Sequence, residues 1–394
     1  MNQNKLRLVI DANEANVINR VGSNIYAFEI IKALAKITKK NTQIETTVLL
    51  TKQPNHDLPK ERNGWRYKIF GPSFLWTQFA EPIHLFLNKH KYDVLYTPGH
   101  YAPRQSPVPY VSSVMDLAFL KYPDQFQQSD LIQLKYWTKY SVKHANKVIA
   151  ISQFTKADIV NTYQKNINDV VVAPPAVYEI TPASITQTNE FFKHHHIRRP
   201  YFLFIGTIQP RKNLIRLVEA YETLCRRLSI AKLGKTKSQK LLPQLILAGK
   251  IGWLADPIIE RIKASPFFEY IILTGFIKNE IKPILYQNAV ASILIGLYEG
   301  FGIPPLESLK YDCLPIVSNV SSLPEVVGKG GIQVDPRKID EISLGLKTSY
   351  QLTTKAKTSY QNKGKNQLKK FSWDKSAQII LNTIQAVADE KIKQ

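Results

Sequence analysis

The stretch EGFGIPPLE places two carboxylates, Glu299 and Glu307, around two glycines and two prolines. Pro304 and Pro305 suit a first helical turn, where the missing N–H is not needed. Backbone amides at such a helix start favour phosphate. Gly300 and Gly302, on either side of Phe301, remove side chains that would block a ligand. Glu299 before the turn and Glu307 a turn inside the helix could then bind hydroxyls at the two ends of a ligand whose phosphates lie between. Spacing alone also fits a capped surface helix with incidental acids. A second element, GTIQPRKN (206–213), follows the apolar run YFLFI and sets Gly206, Thr207, Arg211 and Lys212 before a helix. Cations are disfavoured at a helix N-terminus. A diphosphate held by both, bidentately by the arginine, makes the placement sensible; a solvated pair of charges is the other reading. A third element, RVGSN (20–24), contributes Gly22 to half of a phosphate-binding fingerprint, weak evidence by itself. No G-x-x-x-x-G-K-[ST] run, no full G-x-G-x-x-G and no D-x-D are present, which weakens the P-loop and dinucleotide readings. His194–His196 sit in a polar segment and read as solvated, so no metal site is expected.

These residues need rigid elements beneath them. LRLVIDA (6–12) reads as a buried strand and 23–40 as a helix with Ser23 as its N-cap. Further strands are expected at 46–50, 67–70, 93–97, 109–115, 147–152 and 169–174, with helical patterns at 128–144 and 154–164. The polar, then basic, segment 178–200 reads as a linker with a first short helix. The alternation resumes with strands at 201–206, 244–249, 270–275, 291–296 and 315–319, and with helices between them. Strand and helix in alternation argue for parallel sheets covered on both faces. Two such series in tandem predict an α/β chain of two doubly wound, Rossmann-like domains. Gly206, Gly249, Gly275 and Gly296 each close an apolar strand, where open parallel sheets bind ligands. The tail, 371–394, reads as a helix with Ile379, Ile380, Ile384 and Val387 on one side.

The 394 residues are enough for two or three domains. Lys and Arg number 53 against 31 Asp and Glu, a formal net charge of +22 spread over both halves. Such a surface favours anionic partners: nucleic acid, an acidic membrane face or phosphorylated small molecules. No apolar run reaches the ~18 residues of a membrane span. The N-terminus has no signal-like apolar stretch. With only Cys225 and Cys313, far apart, the chain reads as cytoplasmic with reduced thiols. The basic run 226–240 reads as a solvated insertion, with membrane or acceptor contact as the sharper alternative.

Together these pieces resemble a retaining glycosyltransferase of the GT-B fold, family 4. The resemblance runs through IDA, RVGSN, WTQ (76–78), MDLAFLKYPDQF (115–126), AISQFTKADI (150–159) and YFLFIGTIQPRKNL (201–214). It continues through LILAGK, TGF (274–276), EGFGIPPLE, SNVSSLPEVVG (318–328) and FSW (371–373). It implies an N-terminal acceptor domain over 1–180, a linker over 181–199, and a donor domain over 200–370 facing the first across a cleft. A final helix, 371–394, would cross back to the first domain. Arg211 and Lys212 would bind the donor diphosphate and Glu299 the donor sugar. Phe301 and Gly302 would lie beside sugar and phosphate, with Gly206, Thr207, Gly275 and Gly300 nearby. Glu307 would accept from the ribose hydroxyls, Gly22 would let its loop close over the phosphates, and Ser318 to Ser322 would lie near the crevice. No cofactor or metal is implied. One departure stands out. Relatives commonly read His-Asp where this chain has Met115-Asp116, and a thioether is at best a weak acceptor. His100, in TPGHYAP, is a candidate substitute near the same crevice.

The favoured activity is therefore transfer of a hexose, mannose before glucose, from a nucleotide diphosphate sugar to a cell-envelope glycan or lipid-linked acceptor. Peripheral contact with an anionic membrane fits the charge. A GT-B-type sugar-nucleotide epimerase would need an acid/base set at C2 of the sugar, and none stands out. A non-enzymatic binder of anionic polymers rests on charge alone, and no nucleic-acid motif accompanies it.

Overall fold

The structure is a computed structural model that describes residues 5–99, 101–232 and 242–392. The chain forms two compact units. One comprises Met1–Pro123, Gln128–Pro175 and Phe371–Gln394; the other comprises Asp124–Gln127 and Ala176–Lys370.

The first unit is built on seven strands: β1 (Leu6–Asp11), β2 (Ile44–Leu50), β3 (Trp65–Ile69), β4 (Val94–Thr97), β5 (Tyr110–Val114), β6 (Lys147–Ala150) and β7 (Val170–Val172). They form one parallel sheet in the order β3-β2-β1-β4-β5-β6-β7. Leu8, Val9 and Ile10 in β1 are fully buried. A strand covered on both faces reads as a continuous apolar run, which is why the sequence reveals it. The Trp373–Ile392 helix returns to this unit and packs on the Ser23–Thr38 helix and on β4, β5 and β6. Its buried stripe is Ala377, Ile380, Leu381, Ile384, Val387 and Ala388, so Ile379 is only half-buried, beside the stripe rather than in it. Lys36 pairs with Asp374 at 2.6 Å, and Ser376 Oγ donates to the Pro174 carbonyl.

The second unit has six strands: β8 (Tyr201–Ile205), β9 (Gln244–Ala248), β10 (Ile271–Gly275), β11 (Ala291–Leu294), β12 (Pro315–Ser318) and β13 (Ile332–Val334). Their parallel order is β10-β9-β8-β11-β12-β13. The Ile185–His194 helix, opened by a capping box at Ser184 and Gln187, belongs to this unit; Phe191 and Phe192 pack on its core. Close approach explains one glycine. A Cβ on Gly249 would stand 1.9 Å from the Gly206 carbonyl oxygen, so the ends of β8 and β9 could not lie as they do with any other residue.

Ser23 does not cap its helix. Gly22, at φ 53°, takes the cap position, and the Ser23 hydroxyl donates instead to Glu14 at 2.5 Å. Ser23 is already the first residue of the helix, one position inside the cap, and its hydroxyl is turned to the carboxylate. Several elements are not anticipated from the sequence: the Ala80–Leu87 helix, β13, and the Ile339–Gln351 and Thr354–Leu368 helices. The last of these is polar nearly all round. It is held by close packing of Gly364 on Leu309.

Two acids, Glu81 fully buried and Asp11 half-buried, set a pH dependence. Asp11, at the end of β1, accepts from the Asn13 backbone and side-chain amides and from Trp76 Nε1. Burial raises its carboxyl to about 6, with these hydrogen bonds opposing. Glu81 is fully buried, and neither of its oxygens has a hydrogen-bond partner. Burial first, then Asp11, pushes it well above the usual carboxylate range. The folded state thus holds protons that the unfolded chain releases. This stability is complete at acid pH and lost as pH rises through the folded values. Thermal melts should show it: the Tm of Glu81→Gln minus that of wild type should grow by about 3 °C between about pH 5 and pH 8. A flat difference would remove the buried charge as its cause.

Candidate active site

In an open parallel sheet the ligand crevice lies beyond the strand ends where the order reverses. In the second unit that point lies between β8 and β11. The turn after β8 carries Gly206 and Thr207 and continues into a single 3-10 turn, Pro210–Lys212. The turn after β11 carries Glu299, Gly300, Phe301 and Gly302 and leads into the Ile303–Lys310 helix. Topology therefore brings residues some 90 positions apart to one spot.

There the three charges meet. Lys212 Nζ lies 2.7 and 2.9 Å from the two Glu299 carboxylate oxygens, and Arg211 Nη1 lies 3.2 Å from Oε2. The Glu299 side chain is only 7% exposed, against 20% for Arg211 and 12% for Lys212. The turn is braced from beneath. Ser322 Oγ donates to the Glu299 and Phe301 carbonyls, and the Glu299 amide donates to Ser321 Oγ. Ser318 Oγ donates to the Gly296 carbonyl. Asn213, in a left-handed conformation at φ 60°, donates through its side chain to the carbonyls of Ile295 and Pro336. Gly302 caps the helix at φ 116°, where a Cβ would also strike Leu323.

Glu307 lies farther along the same helix and is 1% exposed. Its oxygens accept from Lys282 Nζ at 3.2 Å and from the Tyr286 hydroxyl at 3.1 Å. Burial pulls the Lys282 ammonium down, but Glu307 and Tyr178 outweigh it and leave it above its ordinary value. Burial, with Glu307 next, carries the Tyr286 hydroxyl far up. Neither Lys282 nor Tyr286 stands out in the sequence as a site residue. Their i, i+4 spacing on one helical stretch was the available signal. Gly275 ends β10, two strands away from β8, and its carbonyl accepts from the Gly249 amide.

The remaining candidates belong to the first unit. Gly22 opens the Ser23–Thr38 helix. Met115 follows β5, is buried, and its carbonyl accepts from Thr155 Oγ1. Asp116 accepts from the Ala118 amide in a local turn. His100 lies outside the described residues, as do residues 233–240 of the basic run. Glu14, unremarked in the sequence, accepts from Ser23 and Asn24 and lies against Gly99, at this unit's own reversal between β1 and β4. Among the described residues no group of His, Cys, Asp and Glu is arranged to hold a metal ion. Cys225 and Cys313 are buried and form no disulfide.

The profile of the glycosyl transferases group 1 matches residues 186–367, and that of glycosyltransferase family 4 matches residues 21–178. The chain belongs to family 4 of the glycosyltransferases and has the GT-B fold. The glycosyltransferase is 26% identical over 298 residues to O-antigen chain mannosyltransferase B of Escherichia coli, 75% of each chain. It is 25% identical over 230 residues to O-antigen chain mannosyltransferase RfbU of Salmonella typhimurium, 57% of this chain and 56% of that one. Among solved structures, sucrose-phosphate synthase from Thermosynechococcus elongatus superposes with a TM-score of 0.72 at 16% identity, covering 97% of this chain and 99% of that one. Anabaena HepE, in complex with UDP and glucose, gives 0.70 at 14% identity, covering 97% and 100%. No helix among the described residues of the glycosyltransferase is long and apolar enough to cross a membrane.

The Glu307 cluster makes a direct prediction. Lys282→Met strands a buried carboxylate and should cost about 3 kcal/mol of stability. Tyr286→Phe removes one neutral donor and should cost about 1 kcal/mol. Chemical denaturation of both variants checks the order; equal losses would mean that the ion pair is not what holds Glu307.

Proposed function

We propose that this glycosyltransferase moves mannose from GDP-mannose to a glycan or lipid-linked acceptor of the cell envelope, with retention at the anomeric carbon and without a divalent metal. The observation that carries the reading is the contact of Arg211 and Lys212 with Glu299 at the reversal of a parallel sheet. Two cations beside one carboxylate give this edge a net positive charge, which favours an anion. The mannosyltransferase relatives favour mannose, and their O-antigen names favour an envelope glycan.

The chemistry follows from charge. As the nucleoside diphosphate departs, the anomeric carbon gains oxocarbenium character and negative charge grows on the leaving phosphate. Arg211, Lys212 and the start of the Ile303–Lys310 helix are fixed groups that meet that charge without reorganising. Glu299 orients the sugar hydroxyls, and Glu307 takes those of the ribose. The departing phosphate accepts the acceptor's proton on the same face, which gives retention without the second protein carboxylate of a retaining glycosidase. Cationic side chains in this position do the work a metal would do on the diphosphate. The net charge of +22 favours a cytoplasmic protein held peripherally at the inner face of an anionic membrane.

Thermal shift with GDP-mannose and UDP-glucose tests the donor, and NMR of the product anomer tests retention. Turnover should survive EDTA. Arg211→Ala and Glu299→Ala should each lower kcat by about 100-fold or more; full activity in both would remove the mechanism. Met115→His should alter donor preference or rate, and an unchanged donor profile would put Met115 away from the sugar.

A further inference from the structure

An apolar surface on the first unit has no part in the chemistry above. The Ala80–Leu87 helix buries Glu81 and Leu85 and turns Ile83, Phe86 and Leu87 outward, at 57%, 64% and 67% exposure. Phe79, just before it, is 60% exposed, and Phe74, in the preceding turn, 78%. Positions 79, 83, 86 and 87 recur at helical spacing and share one face. Exposed apolar residues are ordinary when scattered singly; grouped on one face, they mark a contact surface.

The surroundings are basic. Lys89, His90 and Lys91 follow the helix directly, and all three are exposed. Lys89 Nζ stands 5.5 Å from the centre of the Phe86 ring. Lys68, on neighbouring β3, is exposed too. After burial, Lys68 and Lys91 are the charges that lower His84 on this helix, which places both near it. From Trp65 through Lys91 the sole acid is Glu81, and it is fully buried on the inward side. An apolar centre with a rim of one sign would repel a second copy of itself in a two-fold contact. It matches an anionic lipid surface, where rings enter the acyl boundary and lysines stay among the phosphates.

We propose that the face formed by Phe79, Ile83, Phe86 and Leu87, with Lys89 and Lys91 at its rim, is the surface by which this protein docks on anionic lipid. It deepens the membrane contact proposed above and rests on it. The apolar residues supply insertion, and the lysines supply selectivity for negative headgroups.

The test is co-sedimentation of the full chain with vesicles of phosphatidylglycerol and phosphatidylcholine, against phosphatidylcholine alone. Wild type should bind the anionic vesicles and weaken as salt is raised. Phe79→Ser with Phe86→Ser, and separately Lys89→Glu with Lys91→Glu, should each weaken binding by about tenfold or more, with unchanged melting curves. Both native cysteines are buried, so Ile83→Cys accepts an environment-sensitive dye selectively. That dye should be quenched by lipids brominated in their chains. If wild type binds but both double variants bind equally and the dye is not quenched, the membrane contact stands and this surface is not its means. Should wild type bind no vesicles, both fall, while transfer to a soluble acceptor still tests the catalytic reading separately. A patch variant that turns a dimer into a monomer would assign the face to a second copy and overturn the proposal.

Discussion

The second unit is organised around a carboxylate kept between two cations. Glu299 is nearly excluded from solvent, and a charge so placed is costly unless partners of opposite sign are fixed beside it. Arg211 and Lys212 are those partners, and their position is decided by sheet topology. The strand order reverses between β8 and β11, so the segments after these two strands share an edge. Ser318, Ser321, Ser322 and Asn213 then tie that edge to β12 and to the chain after β13, mostly through backbone groups. Little of this bracing depends on the charges themselves. The scaffold therefore keeps the two turns together independently of the charges they carry, as the proposed electrostatic role would require.

The first unit uses the same architecture with different chemistry. Its reversal, between β1 and β4, is lined by acids rather than cations: Asp11, largely satisfied by amides and Trp76, and Glu14, which accepts from Ser23 and Asn24. Two sheets of like topology thus carry different charged residues at equivalent points. The fold specifies where a ligand can lie; the residues placed there decide its charge.

The strands were legible because each is a short apolar run, and parallel sheets buried on both faces demand that composition. Arg211, Lys212 and Glu299 stood out for a related reason: charged residues directly after apolar strands are conspicuous. What escaped reading depends on contacts between distant residues. Lys282 and Tyr286 are ordinary helix residues until Glu307, over 20 positions on, is packed against them. Glu81 looks like a surface acid in a stretch holding Pro82, and only tertiary burial makes it otherwise. The Thr354–Leu368 helix lacks an apolar stripe because a glycine contact does the work of larger side chains. Ser23 has the right chemistry for a cap, but the helix begins one residue earlier than that reading needs, with Gly22 at the cap.

The Trp373–Ile392 helix has a consequence for how the protein is made. It covers β4, β5 and β6 of a sheet whose last strand ends at Val172, some 200 residues earlier in translation. While the ribosome adds the whole second unit, that sheet waits with part of an apolar face uncovered. The second unit, whose described segments lie almost wholly between Ala176 and Lys370, can close as soon as it emerges. Completion of the two halves is therefore expected to run opposite to the direction of synthesis, with the nascent first half the more exposed to chaperones and to aggregation.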